Sequence, residues 1–368
     1  MMDARETARA IWQAGVDAVG GYTATQAALG DLPKPDRILA VGKAAGAMAQ
    51  AALDQFSGVP CLVVTKDGHG DGLPDDVHLI EASHPVPDAR SLEGGRALRE
   101  AVEAMGSDTH LLLLVSGGAS SLAEDLMPGK TLDDLAALNR QLLSTGLDIG
   151  AMNAERRKIS RIKGGGLLSG FSGTRADVLA ISDVPGDDLM VIGSGIGALP
   201  DAPAFDAQAR IIASNAHARA AAVQAAQGAG FDVLANEEAL HNDLPTLATT
   251  LGPRLRDMPR GAMIFGGEPT VVLPENPGRG GRNQALALAL AREIAGCDGL
   301  TLVVGGTDGT DGPTESAGGI VHGGIWGDGA AEALAAADSG SYLEQMDALL
   351  NTGPTGTNVM DLLVAIRR

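Results

Sequence analysis

The chain is organised around the stretch GGEPTVVLPENPGRGGRNQALALALARE, which spans residues 266–293. From Asn283 onward, alternating alanine and leucine favour a helix. The glycine-rich run before it, with Arg279 and Arg282, therefore lies at a helix N-terminus. Backbone N–H groups and guanidinium groups there attract a carboxylate or a phosphate. A flexible loop with solvated arginines is the alternative, but three glycines allow a ligand close to the backbone and favour the anion site.

Length and composition predict a protein of two α/β domains. The 368 residues suffice for two cores, and with only 2% aromatic residues these cores consist of Ala, Val, Leu and Ile. A net charge of −19 argues against nucleic acid or an anionic membrane as partner. Local clusters of cations in so acidic a chain therefore need an explanation.

The cysteines and the apolar segments predict a soluble, cytoplasmic protein. Cys61 and Cys297 are the only cysteines and form no metal or disulfide pattern, which is typical of a reducing compartment. The first residues lack the order of a signal peptide. The longest fully apolar runs, such as Leu111–Val115, have the length of a strand and not of a membrane span.

Short apolar runs alternate with helical stretches along the whole chain. This alternation is typical of a mainly parallel sheet wrapped in helices. Thr270–Leu273 is a β-branched run that follows a short apolar strand. The chain turns polar near Ala235, so we expect domains at residues 1–235 and 236–368.

Apolar runs repeatedly end in small-residue turns that carry one polar group. These groups are Lys43, Ser116, Asp183, Asn215, Glu268 and Asp308. In open α/β sheets, ligands bind beyond the carboxyl ends of the strands. Turns are often polar and glycine-rich in any case, but six such turns favour one site that several of them share.

Two groups of cations stand out. Lys43 follows the first strand and precedes a helix, where it either holds a phosphate as a point charge or lies on the surface. Residues 156–163 contain five cations and precede three glycines. Most of such a charge run is expected to be a solvated helix face, including Arg156. Lys163, which adjoins the glycines, is the member expected to face an anion.

Two turns are rich in aspartate. One carries Asp183, Asp187 and Asp188, and the other carries Asp308 and Asp311. Carboxylates on such turns suit Mg²⁺, which prefers oxygen ligands. Bonding of each carboxylate to its own turn is the alternative, and we expect it to account for at least half of these residues.

Three familiar sequence motifs are absent or lack the structural context that they need. The chain has neither the P-loop pattern nor the nucleophile elbow. Residues 193–198 match the loose dinucleotide fingerprint, but Leu199-Pro200 follows, so a helix cannot start properly there.

Taken together, the motifs resemble those of the glycerate 2-kinases with a MOFRL-type C-terminal domain. The resemblance covers nearly the whole chain in order and rests on these runs: VGKAAGAMA (41–49), SHPVPD (83–88), VSGGASSL (115–122), RIKGGGLL (161–168), ISDVPGDD (181–188), GGEPTVVL (266–273), GRGGRNQ (278–284), GTDGTDGPTESAGG (306–319) and TGPTGTNVMDL (352–362). The chain departs from the family pattern after Gly195, at residues 240–243 and at Met360, where family members often have Asn.

The resemblance implies a Rossmann-like N-terminal domain with a mainly parallel sheet and flanking helices, a smaller α/β C-terminal domain, and an active site in the cleft between them. It implies a kinase that transfers the γ-phosphate of ATP, with Mg²⁺, to the 2-hydroxyl of D-glycerate. The expected catalytic residues are Lys43, Arg282 and Asp183, and the expected metal ligands are Asp183 and Asp188. The expected substrate- and nucleotide-binding residues are Ser116, Gly117, Gly118, Ser120, Lys163, Gly164, Asn215, Glu268, Asn283 and Asp308.

Two other functions stay open at this point. The first is an NAD(P)H-dependent hydroxypyruvate reductase, a label that some relatives carry. The second is a non-catalytic protein that binds small organic acids. The expected partners are small molecules, with a homo-oligomer left open.

Overall fold

The structure is a computed structural model, and it describes residues 3–145 and 149–368, apart from the side chains of residues 143–150. It divides into two compact units. One comprises residues 20–214 and 356–358 and is called the parallel-sheet unit below. The other comprises residues 1–19, 215–355 and 359–368 and is called the mixed-sheet unit.

The described strands divide equally between the two units. Those of the parallel-sheet unit are β1 (Arg37–Val41), β2 (Cys61–Lys66), β3 (His78–Ala82), β4 (His110–Val115), β5 (Arg175–Ile181) and β6 (Asp206–Ala213). Those of the mixed-sheet unit are β7 (Val233–Glu238), β8 (Gly261–Gly267), β9 (Leu300–Gly306), β10 (Gly318–His322), β11 (Leu349–Leu350) and β12 (Asp361–Arg367).

Helices connect these strands. They are α1 (Ala4–Ala18), α2 (Gly21–Leu29), α3 (Ala45–Gln55), α4 (Ala89–Glu103), α5 (Ala119–Leu122), α6 (Leu132–Thr145), α7 (Ile149–Arg157), α8 (Gly166–Ser169), α9 (Asn215–Gly228), α10 (Leu244–Arg256), α11 (Arg282–Glu293), α12 (Ala330–Ala335) and α13 (Ser339–Gln345). Short 3₁₀ turns occupy Pro185–Asp187 and Ile192–Gly195. Among the described helices, none is long and apolar enough to cross a membrane.

The first sheet has the strand order β3-β2-β1-β4-β5-β6, and all of its pairings are parallel. This is the order of a doubly wound Rossmann-like sheet, so the sequence-based fold prediction is confirmed here. The order reverses between β1 and β4. Ligands of such sheets bind in the crevice beyond the carboxyl ends of the two strands that flank this switch point.

The second sheet is mixed rather than mainly parallel. Its order is β11-β10-β9-β12-β8-β7, and only β7 and β8 run parallel to each other. Alternate residues of β12 enter two different cores, with Leu363 on one face and Leu362 and Val364 on the other. A strand buried on both faces needs a continuous apolar run, which is why the sequence suggests a parallel sheet.

Helix α11 is the central helix of the mixed-sheet unit. Every residue from Asn283 to Ala291 is buried, which explains why alanine and leucine alternate there without a polar face. It packs against α10, α13, β9 and β10. The helix that the sequence predicts from residue 283 is therefore present, and it is enclosed on all sides.

The division of the chain differs from the expected boundary at 235/236. It lies at 214/215, and the first nineteen residues belong with the C-terminal part. The reason is α1, whose Trp12 is fully buried against β12 and donates its indole N–H to the Leu362 carbonyl at 3.0 Å. Contacts made across the whole length of the chain are not visible in a local composition shift.

Thr270–Leu273 forms an exposed loop instead of a strand. Val272 is 92% exposed and Leu273 is 56% exposed. Only Thr270 makes an isolated bridge, to Asp243. Its β-branched side chains gain nothing from strand formation where no neighbouring strand offers a partner.

Replacement of Trp12 tests the place of α1 in the fold. We expect Trp12→Ala to lower the free energy of unfolding by about 3–5 kcal/mol, because it leaves a large cavity on one face of the mixed sheet. The matched control is Trp326→Ala. Trp326 is only partly buried and lies under the Arg292 guanidinium at 5.9 Å, so we expect a loss below about 1.5 kcal/mol. Urea unfolding measures both, and equal losses would contradict the assignment of α1 to this core.

Candidate functional site

Two turns meet at the switch point of the parallel sheet. The Lys43 N–H donates to the Gly117 carbonyl at 2.9 Å, and the Ala44 N–H donates to Ser116 Oγ at 3.0 Å. Gly42 has a φ of +124°, and an added Cβ there would lie 2.3 Å from Ser116 Oγ. Only glycine permits this approach. The structure therefore brings Lys43 together with the predicted Ser116–Gly118 turn.

Asp183 joins this group from the next strand, β5. An added Cβ at Gly117 would lie 2.1 Å from Asp183 Oδ2, so the carboxylate lies directly against the glycine turn. The Asn358 amide donates to the same oxygen at 3.2 Å. Three of the predicted residues, Lys43, Gly117 and Asp183, thus come from neighbouring strands and meet at one edge of the sheet.

Two histidines at this edge are not among the site residues that the sequence predicts. His84 lies over Gly118, where an added Cβ would be 3.3 Å from its Nε2 and 3.1 Å from Lys43 Cγ. His69 Nδ1 donates to the Lys43 carbonyl at 3.1 Å. His84 follows the end of β3, and His69 follows the end of β2. The expectation that ligands bind beyond the carboxyl ends of the strands therefore applies to them as well.

Lys163 does not face an open anion site. Its side chain is 2% exposed, and its ammonium donates to the fully buried Glu124 carboxylate at 2.6 Å. Burial lowers the pKa of Lys163, while Glu124 opposes that change. Gly164 has a φ of +59° and packs against the side chain of Arg157. The predicted cation is therefore part of an internal ion pair.

In the mixed-sheet unit, Arg282 is held by two carboxylates. Its Nε donates to Asp361 at 2.7 Å and its Nη1 donates to Glu268 at 2.7 Å. Asp361 is 1% exposed and starts β12 between the ends of β8 and β9. Burial lowers the pKa of Arg282, but Asp361 and Glu268 outweigh this effect, so the pKa is raised and the guanidinium stays charged.

The N-terminus of α11 does bind a carboxylate, as its sequence predicts, but the carboxylate belongs to the protein. Asp311 accepts the backbone N–H groups of Asn283 at 3.1 Å and of Gln284 at 2.8 Å. The Asn283 amide also donates to Asp361 at 2.9 Å. A buried helix end requires an internal cap, and Asp311 provides it. The expectation of a ligand phosphate on these N–H groups is not met.

Other predicted binding residues also have internal partners. Asn215 donates to the carbonyls of Val359 and Asp361 and accepts from Arg219, so its amide is fully used. Asp308 accepts from the Thr310 N–H and hydroxyl within its own turn. Glu268 lines a cavity of about 670 Å³ together with Arg282, His241, Asn242, Asp243, Pro269, Thr270 and Val271.

The Asp188 carboxylate also bonds within its own turn. It is exposed, and its carboxylate accepts the Met190 N–H at 2.8 Å. In residues 3–145 and 149–368, no three His, Cys, Asp or Glu side chains are grouped as metal ligands. The local-turn explanation therefore accounts for the carboxylates of Asp188 and Asp308, while Asp183 lies at the switch point.

Met360 adopts a φ of +67° immediately before Asp361. This left-handed region is entered more easily by Asn than by Met, which is a physical reason for Asn at this position in the family pattern. The Met360 carbonyl accepts the Thr307 hydroxyl at 2.7 Å and the Thr307 N–H at 3.0 Å. These bonds hold the backbone that presents Asp361 to Arg282.

The stability of the mixed-sheet unit should depend on the protonation of Asp311. Burial raises the pKa of this carboxyl from its ordinary value of 3.8 to about 7. The folded state thus holds the proton more tightly, and the stability this group contributes below pH 4 is lost as the pH rises through 7. We expect wild-type protein to lose about 2 kcal/mol more than Asp311→Asn between pH 5 and pH 8.

Chemical denaturation at each pH measures this difference. Asp328→Asn, which changes an exposed aspartate, is the matched control and should keep the wild-type pH dependence. Parallel pH profiles for wild type and Asp311→Asn would show that this carboxyl does not titrate in that range.

Comparison with known families divides the chain between residues 227 and 261, whereas the two compact units divide it at 214/215. Residues 7–227 match a domain of unknown function, DUF4147, and residues 261–361 match the MOFRL family. The D-glycerate 2-kinase of Thermotoga maritima is 34% identical over 90% of this chain and 91% of its own. A putative hydroxypyruvate reductase of Agrobacterium vitis is 35% identical over 88% of this chain and 97% of its own.

A solved structure has the same fold. The crystal structure of a glycerate kinase from Thermotoga maritima superimposes with a TM-score of 0.90, covers 99% of both chains and is 32% identical. With these matches over nearly the full length, the chain belongs to the family of the glycerate 2-kinases, and in it a DUF4147 domain precedes a MOFRL domain.

Proposed function

We propose that this protein is an ATP- and Mg²⁺-dependent kinase that phosphorylates the 2-hydroxyl of D-glycerate. The observation that carries the proposal is the group of Lys43, the Ser116–Gly118 turn and Asp183 at the switch point of the parallel sheet, in a chain of this family. Phosphoryl transfer requires positioned cations and a held acceptor more than covalent chemistry by the protein. This edge of the sheet brings a cation, Lys43, together with a carboxylate, Asp183.

The role proposed for Lys43 follows from its place in the turn. Its backbone is fixed by Gly117 and His69, so the side chain leaves the sheet edge from a rigid base. A lysine ammonium is a compact point charge that suits phosphate oxygens. In this role Lys43 would stabilise the negative charge that develops on the transferred phosphoryl group.

Arg282 is proposed as the second catalytic cation. Asp361 fixes its plane with two hydrogen bonds, at 2.7 Å from Nε and 3.2 Å from Nη2. Glu268, which is 45% exposed, holds only Nη1. A ligand oxyanion that entered the neighbouring cavity could replace Glu268 on the guanidinium while Asp361 keeps the guanidinium in position.

Asp183 fits the requirements of a Mg²⁺ ligand. Its carboxylate lies half-buried at the sheet edge beside the glycine turn, and the Asn358 amide donates to the oxygen nearest that turn. Mg²⁺ in phosphotransferases usually takes one or two carboxylates and completes its shell with phosphates and water. Bound there, Mg²⁺ would neutralise charge on the phosphates. Asp188 is the weaker candidate, because its carboxylate already closes its own turn.

A coupled assay of ADP release tests the activity. Wild-type protein with ATP and Mg²⁺ should release ADP only when D-glycerate is added. Phosphorus NMR of the product should show 2-phosphoglycerate. No release with D-glycerate would refute the kinase proposal, and 3-phosphoglycerate would change the position of transfer.

Lys43→Ala should lower kcat/KM by about 30- to 1,000-fold, since it removes a charge that acts on the transition state in a site shielded from water. Lys66→Ala is the matched control. Lys66 ends β2, one strand away from the switch point, and so should lose less than about threefold. Both variants must keep the wild-type melting temperature. Similar losses in the two variants would move the site away from the switch point.

Asp183→Asn should raise the Mg²⁺ concentration needed for half-maximal activity by about tenfold or more, because an amide is a weaker ligand than a carboxylate. Asp188→Asn retains a side chain that can close the same turn and should titrate like the wild type. Kinetic titration with Mg²⁺ at saturating ATP compares them. Identical curves for all three proteins would remove Asp183 from the metal site.

Hydroxypyruvate reduction is the second candidate, because a relative at 35% identity carries that name as putative. In this chain, residues 193–195 of the loose dinucleotide motif belong to a buried 3₁₀ turn and do not open a helix after a strand. Loss of NADH or NADPH absorbance on addition of hydroxypyruvate would favour this activity.

A further inference from the structure

Arg156, in the last turn of α7, is a half-buried arginine that contacts only neutral groups. Its Nε donates to the Asn139 side-chain oxygen and its Nη1 donates to the Asn153 side-chain oxygen, each at 3.3 Å. Within residues 3–145 and 149–368, as far as side chains are described, no carboxylate forms an ion pair with it. Burial lowers the pKa of Arg156, with Glu124 acting in the opposite direction. The sequence-based expectation that this residue is a solvated surface cation is therefore wrong.

Among the side chains that the structure describes, the charges around Arg156 do not balance. Glu124 accepts from the Lys163 ammonium and from the Ser160 hydroxyl, so the one buried carboxylate is already paired. Arg156 adds a second cation to this cluster, and its charge lowers the pKa of Lys163 beyond the larger effect of burial. A partly buried charge is stable when an opposite charge compensates it. As far as its side chains are described, this cluster has one more positive than negative charge.

Neighbouring arginines show the contrast. Arg99 pairs with Asp125 at 2.6 Å, and Arg161 pairs with Asp125 at 3.3 Å and with Glu103 at 3.8 Å. Each of these cations has a carboxylate partner on the protein itself. Arg156 has two amides instead.

The guanidinium of Arg156 has donors to spare. A guanidinium carries five N–H groups, and the two amide contacts occupy one on Nε and one on Nη1. Both hydrogens of Nη2 and the second hydrogen of Nη1 have no described acceptor. Two adjacent nitrogens of this kind match the two oxygens of a carboxylate or of a phosphate.

A chain of hydrogen bonds connects Arg156 to the switch-point turn. Ser194, whose φ is +59°, donates to Asn153 at 3.0 Å, and Ser120 lies 2.7 Å from the Ser194 hydroxyl. Since the Ser194 hydrogen points to Asn153, Ser120 is the donor of the last contact. Ser120 lies two residues after Gly118, so these hydrogen bonds connect Arg156 to the turn of the candidate site.

We propose that Arg156 binds an oxyanion of the ligand, the carboxylate of the acid substrate, and thereby supplies the negative charge that the buried cluster lacks. The proposal rests on the proposed kinase function for the identity of that acid. A nucleotide phosphate has the same chemistry, and the kinetics below distinguish the two sources. Asn139 and Asn153 fix the orientation of the guanidinium, and the Ser194 contact holds Asn153.

The test compares Arg156→Met with Lys158→Met, a control two residues away. Lys158 is 66% exposed and pairs with Glu155, so its replacement removes the same charge from the surface. Arg156→Met should raise KM for D-glycerate by about 10- to 100-fold, the value of a charge-assisted pair, while KM for ATP stays within twofold. Lys158→Met should match the wild type in both. A rise in KM for ATP instead would assign the oxyanion to the nucleotide.

Two outcomes would overturn the proposal. One is an Arg156→Met protein with both KM values near the wild type, whether or not kcat changes. The other is an equal effect in Lys158→Met. If Arg156→Met does not fold, Arg156→Lys keeps the charge but loses the planar two-point contact, and its KM for D-glycerate must still rise at least fivefold.

A binding measurement separates this proposal from the kinase proposal. The melting temperature of the protein is followed with D-glycerate, L-lactate or inorganic phosphate, without nucleotide. One of these anions should stabilise wild-type protein and Lys158→Met but not Arg156→Met, even if no glycerate is phosphorylated. Equal stabilisation of all three proteins, or of none, counts against Arg156. Absence of turnover with intact anion binding counts against the kinase proposal alone.

Discussion

The N-terminus of α11 is the constraint on which the mixed-sheet unit depends. A helix that is buried on every side cannot leave its first N–H groups to water, so an internal acceptor must come from elsewhere. Asp311 is that acceptor. Asn283 connects it to Asp361, which also binds Arg282. Two buried carboxylates, one guanidinium and one helix end thus form a single network. Its position at the ends of β8 and β9 is what makes Arg282 both rigid and partly accessible.

The two units each contain a partly buried arginine, and the electrostatic surroundings of the two arginines are opposite. Asp361 and Glu268 pair with Arg282, so the charge of this arginine is compensated before any ligand arrives. Arg156 bonds to two amides and is influenced by a second cation, Lys163, so the described side chains do not compensate its charge. A balanced cation contributes orientation, and an unbalanced one contributes affinity for an anion. An enzyme that handles an anionic substrate and nucleotide needs both properties in a chain with net charge −19.

Local patterns were sufficient to predict the parallel sheet and the meeting of three polar turns at one of its edges. Strand-sized apolar runs that end in Lys43, Ser116 and Asp183 predict a shared site, and the strand order brings these three turns together. The pairing of buried charges could not be predicted in this way. Glu124 and Lys163 lie 39 positions apart, and Asp311 and Asn283 lie 28 positions apart. No periodicity links such residues, because only the folded backbone determines which polar groups share one interior.

The position of α1 has a consequence for synthesis of the chain. Trp12 and its partner Leu362 are separated by 350 positions, and β12 is the strand that joins β9 to β8. The ribosome therefore releases α1 long before β12, and α9, which also packs against α1, is made between the two. All strands of the parallel sheet have emerged by residue 213, so that sheet can form during translation. Until β12 follows, the apolar face of α1 with Ile11, Trp12 and Val16 lacks one of the elements that cover it, so part of this face stays exposed on the nascent chain, where chaperones bind apolar surface.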